Sequence, residues 1–130
     1  MNNIYTNRLL KVARSLRESP NPKDFTMTTY GNSCGTPACA LGHYASREDL
    51  QSSFTLKKRP YEEEEIRIYS KTLKDEVYFN DDEVIKHFEL TVSECHELFG
   101  GQGCGYAKTV GKAARYIENF IAKKLTKGTK

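Results

Sequence analysis

From Asn3 to Ser19 the apolar residues Tyr5, Leu9, Val12 and Leu16 recur at helical spacing, while Arg8, Lys11, Arg14 and Arg17 step around another side. This pattern predicts an amphipathic helix. Pro20 and Pro22 end it, because a residue preceding proline is driven out of helical geometry. Phe25, Met27 and Tyr30 read as an extended lead-in to the stretch Asn32 to His43, N-S-C-G-T-P-A-C-A-L-G-H. There Thr36-Pro37 predicts a helix start: threonine caps exposed amides, and proline suits the first helical position, where no amide bond is lost. Ala38, Leu41 and Ala45 then face the core, with Cys39 beside them. Gly42 inside this helix costs about 1 kcal/mol relative to alanine, which implies close packing of another backbone.

The period changes beyond Leu50. Ser53 to Leu56, Ile66 to Tyr69 and Val77 to Phe79 have strand-like composition, with a turn near Lys74-Asp75. Asn80-Asp81-Asp82-Glu83 places carboxylates at the positive end of a helix whose apolar face is Val84, Ile85 and Phe88. Thr91-Val92-Ser93-Glu94 has capping-box spacing, and the helix it opens runs through Leu98 and Phe99 to Gly100, with Val92, Cys95 and Phe99 on a core face. Thr109 caps a last helix with Val110, Ala113, Ala114, Ile117, Phe120 and Ile121 as its stripe. These elements predict an α+β fold, mainly α: about five helices packed around a short antiparallel hairpin or three-stranded sheet.

Composition narrows this picture. At 130 residues the chain suits one domain with a modest core, taken as 1–122, followed by a basic, frayed tail over 123–130. An apolar fraction of 38% against 28% charged residues, with no long uncharged run, predicts no membrane span. Arg8 and Lys11 interrupt the start before a secretory apolar region could form, so a cytoplasmic location is expected and the four cysteines are expected as thiols, not disulfides. The net charge of +3 selects no partner class by itself. The run Glu62 to Glu65 reads as a solvated stretch, since adjacent strand residues point both ways.

The stretch from Asn32 admits three chemistries. A loop of small residues feeding a helix start can hold an anion on its amides, which makes Asn32, Ser33, Cys34, Gly35 and Thr36 candidate ligand-binding residues. His43 and the second glycine-rich loop (Gly101, Gly103), with the cations Lys108 and Lys112, can complete that site. The P-loop and dinucleotide spacings are absent. Zinc is the one cofactor the side chains admit: Cys34, Cys39, His43 and Cys104 are the candidate ligands, although paired CxxC knuckles are missing. No other cofactor is expected. Finally, Cys34 at a positive helix end can form a thiolate, making it the catalytic residue if the chain is an enzyme. Ser33-Cys34-Gly35 resembles the nucleophile helix entry of papain-like peptidases, but two extra residues precede the second cysteine and no tryptophan follows it.

Asp24-Phe25-Thr26-Met27-Thr28-Thr29-Tyr30, then Cys34-Gly35-Thr36-x-x-Cys39-x-x-Gly42-His43, Leu98-Phe99 and Ala113-Ala114-x-x-Ile117, together resemble a pattern of small, functionally uncharacterised proteins encoded by bacteria and their phages. The likeness runs from the first helix to about Ile121, and Cys-Gly-Thr-x-x-Cys is its distinctive core. It carries no activity over. It implies a phage-type, non-enzymatic binding protein acting in the host cytoplasm, its ligand being a phosphate-bearing, nucleotide-like host signal or a host protein. The protein partner would be contacted through the first helix or through Tyr61, Tyr69, Tyr78 and Phe79. The cysteines leave room for two more functions, a zinc-stabilised interaction module and a Cys34-dependent hydrolase. Nucleic acid and membrane are not expected as partners, and self-association is left open.

Overall fold

The computed structural model describes residues 3–19, 22–24, 39–58, 66–99 and 108–128. Within them run α1 (Asn3–Arg17), a short 3-10 turn (Pro22–Asp24), α2 (Ala40–Ser46), β1 (Phe54–Lys58), β2 (Ile66–Ser70), β3 (Asp75–Val77), α3 (Asp82–Phe88), α4 (Val92–Phe99) and α5 (Val110–Gly128). The fold is α+β and mainly α, with five helices and one three-stranded antiparallel sheet, as the hydrophobic pattern predicts.

The α1 stripe meets its prediction closely. Leu9, Val12 and Leu16 are fully buried, Ala13 joins them, and Tyr5 is half-buried at the rim. α1 lies along α5, α2 and α3, while α2 also reaches β1 and α4. Ala113, Ala114, Ile117 and Ile121 supply the α5 side of this core. One residue on the inner side of α1 departs from the pattern: Thr6 is 8% exposed and its Oγ1 has no hydrogen-bond partner. A buried hydroxyl without a partner carries its desolvation cost uncompensated, so Thr6→Val is expected to raise stability by about 1 kcal/mol in urea denaturation.

The sheet is a meander in the order β1-β2-β3. Its register sets Leu56 opposite Ile68 and Ile68 opposite Val77, while Phe54 faces Ser70. Those residues share one face. Phe54, Ile66, Ile68, Ser70 and Val77 are buried there, because side chains two apart on a strand, and those directly opposite, point the same way. The last strand begins at Asp75 and so precedes the expected Val77. Lys74, at φ 60, takes the left-handed turn conformation in front of it.

Two caps form as the sequence predicts. Thr91 Oγ1 accepts from the Glu94 amide at 3.1 Å while Glu94 Oε1 accepts from the Thr91 amide at 2.9 Å, a reciprocal capping box. Thr109 Oγ1 accepts from the Lys112 amide at 3.2 Å. Two expectations need correcting. Val92 is 51% exposed and not on the core face with Cys95 and Phe99. The basic segment from Lys123 continues α5 to Gly128, and Lys124 reaches Glu94 at 2.6 Å.

Candidate functional site

The helix expected to start at Thr36-Pro37 begins at Ala40 instead, with Cys39 as its cap residue. The Cys39 backbone is extended (φ -85, ψ 175) and its Sγ accepts from the Gly42 amide at 3.3 Å. Sulfur thus performs the role that serine or threonine usually takes. Ala40, Leu41 and Gly42 are all buried, so the first turn of α2 faces protein and not an incoming anion. Asn32, Ser33, Cys34, Gly35 and Thr36 lie outside the described residues, as do Gly101, Gly103 and Cys104.

His43 is 1% exposed, and both ring nitrogens are engaged. Nδ1 stands 2.8 Å from the Cys39 carbonyl and Nε2 stands 2.7 Å from Ser19 Oγ. A carbonyl only accepts, so Nδ1 carries the proton and donates; in the neutral ring Nε2 then accepts from the Ser19 hydroxyl. Burial lowers the His43 pKa, with the Cys39 carbonyl opposing that shift. The order hydroxyl, imidazole, carbonyl resembles a nucleophile with its base. With so little of the ring exposed, however, the relay is a strut joining the end of α1 to the start of α2.

The thiols are equally inward. Burial pushes Cys39 up to about 11 and Cys95 up to about 11, so both are protonated at neutral pH and lack the thiolate that nucleophilic attack or zinc ligation requires. Among the described residues no group of three or more His, Cys, Asp or Glu side chains converges as a metal site. Cys39→Ala is expected to cost about 1 kcal/mol through loss of the cap while leaving the far-UV circular dichroism unchanged. Cys39→Ser keeps an acceptor there and should cost less.

Other constellations come from distant segments. Tyr44, fully buried, places its hydroxyl 2.7 Å from His87 Nε2, and Arg8 donates to the His87 carbonyl at 2.7 Å, tying α2, α3 and α1. Burial, with the charges of Arg8 and Lys11, pushes His87 down to about 4. Gln51 donates to the carbonyls of Tyr44, Ala45 and Phe54 and accepts from the amides of Ser53 and Phe54, fastening the end of α2 to β1. The α1 cations are partly absorbed within the chain: Arg14 pairs with Glu18, and Arg17 pairs with Glu118 at 2.6 Å. Lys108 and Lys112 stand exposed at the start of α5, whose first turn has no acidic residue.

The face of the sheet opposite the core carries Thr55, Lys57, Arg67, Tyr69, Glu76 and Tyr78. Lys57 Nζ sits 3.9 Å from the Tyr69 ring centroid, and the Arg67 guanidinium sits 4.9 Å from that of Tyr78. Arg67 Nη2 also donates to Tyr78 Oη at 3.2 Å. Of the aromatic residues expected at a protein partner, Tyr69 and Tyr78 therefore share this face. Phe79 instead packs edge-on against His96 at 5.0 Å, and Tyr61 lies outside the described residues. Beside the β3 edge, Asp75, Glu76, Asp81, Asp82, Glu83 and Lys86 line an open concavity of about 570 Å³.

No helix among the described residues is long and apolar enough to cross a membrane. Comparison with protein-family models, curated proteins and solved structures returns no match.

Proposed function

We propose that this chain is a non-enzymatic binding protein that docks on a partner protein, a host protein if it is phage-encoded, through the open face of its sheet. The observation that carries this reading is the pairing of Tyr69 with Lys57 and of Tyr78 with Arg67 on the face opposite the core. Tyrosine and arginine are enriched among the residues that dominate binding energy, since they offer large contact area and directed polar groups. Side chains already ordered lose less freedom on binding. The protonated, sealed state of Cys39 and Cys95 supports binding over thiol chemistry at those positions.

Co-purification from host lysate tests it. A partner recovered in stoichiometric amount should persist with Cys34→Ala and be lost when Tyr69→Ala and Tyr78→Ala are combined. Retention of the partner by that double variant, with folding intact, would refute the reading.

In a second reading, a small phosphate-bearing molecule is held by Asn32 to Thr36 with Gly101, Gly103, Lys108 and Lys112. The exposed lysines at the carboxylate-free first turn of α5 favour it. His43 drops out of that set, because both of its nitrogens are committed internally. A nucleotide present at a hundred times its dissociation constant would add about 2.7 kcal/mol of stability. A nucleotide panel that leaves the melting temperature unmoved counts against it.

A further inference from the structure

We infer that the segment bound on the open sheet face is acidic: a carboxylate-bearing stretch of the partner protein lies across β1 and β2, over Lys57 and Arg67. This rests on the docking reading above and names its chemistry. The sheet register places Lys57 directly opposite Arg67. Like charges in that arrangement repel and destabilise a strand pair. Each is partly compensated by a tyrosine ring, and an anion brought between them removes the remaining repulsion. The Arg67 guanidinium is also oriented in advance by Tyr78 Oη, and its planar fork matches a carboxylate.

The same contacts disfavour single-stranded nucleic acid. Bases bind by stacking on open aromatic faces, but the chain's own cations lie over the Tyr69 and Tyr78 rings. The acidic concavity beside β3 repels a carboxylate-bearing segment from that side. The segment is thereby confined to β1 and β2, so repulsion sets its position as much as attraction does.

The test is a titration of the isotopically labelled protein with a short Glu-rich peptide, followed by backbone amide shifts. Perturbations should centre on Thr55, Lys57, Arg67, Tyr69 and Tyr78 and weaken as salt is raised. Lys57→Gln with Arg67→Gln should reduce affinity by about tenfold, and Lys57→Gln alone, which leaves the Arg67–Tyr78 pair in place, should reduce it by a smaller factor. Thermal melts confirm that each variant is folded. Three results overturn the inference: no shifts on this face, tighter binding of oligothymidylate than of the peptide there, or self-association of the chain through the face that shuts the peptide out. If the Tyr69→Ala, Tyr78→Ala protein loses its co-purified partner while Lys57→Gln with Arg67→Gln retains it, docking stands and the acidic chemistry falls.

Discussion

Phe88→Ala is expected to destabilise the fold by about 3–5 kcal/mol, the usual cost of deleting a fully buried ring. Phe88 is 0% exposed at the end of α3. Its ring meets Tyr44 at 5.3 Å, His87 at 4.7 Å and Phe99 at 5.3 Å between centroids, so it joins α2, α3 and α4. The cavity left behind would be walled by three elements that also hold one another, which limits collapse around it. A domain of this size has a total stability on the order of 5–15 kcal/mol. The substitution therefore brings the protein near the edge of folding. Urea denaturation checks it: the midpoint should fall sharply with an unchanged slope.

The second large effect is loss of stability in mild acid. His87 is pushed down to about 4 from an ordinary 6.5, and burial lowers His43 in the same direction. A histidine whose folded-state pKa is depressed binds its proton more readily in the unfolded chain. Its contribution is fully present above about pH 6.5 and is lost as pH falls toward the folded value. For His87 the window is therefore roughly pH 6.5 to 4, with a loss on the order of 2–3 kcal/mol. The charges opposing the proton are Arg8 and Lys11 on α1, while Tyr44 faces the ring from α2. Melting temperatures across this range should decline, and His87→Gln should flatten the decline over the same interval. A wild-type curve already flat from pH 7 to 4 would refute the assignment.

What the sequence discloses is local. The Thr91–Glu94 box and the Thr109 cap each join residues three apart, so spacing alone finds them. The α1 stripe is legible for the same reason: burial of one face repeats with the helical period. The start of α2 is hidden because Thr36-Pro37 satisfies every familiar preference, whereas the cap actually used is a cysteine sulfur three residues beyond Thr36. Distance along the chain conceals the rest. Ser19 and His43 are separated by 24 positions, and Tyr44 and His87 by 43, so no periodicity points from one to the other. The open sheet face is half visible: Tyr69 and Tyr78 stand out as aromatic residues, but the register that seats Lys57 against Arg67 arises only when the strands pair.

The inward-facing thiols of Cys39 and Cys95 also make the protein its own clock. A sulfur sealed in the core reacts with an alkylating reagent only while its surroundings are transiently open, so the rate of labelling at each site, read by mass spectrometry, measures how often that region opens. Cys39 reports on the first turn of α2 and Cys95 on the packing of α4. Equal rates at the two positions would mean that the helices come apart together; a faster Cys39 would mean that the strut from Ser19 through His43 is the first part of the fold to yield.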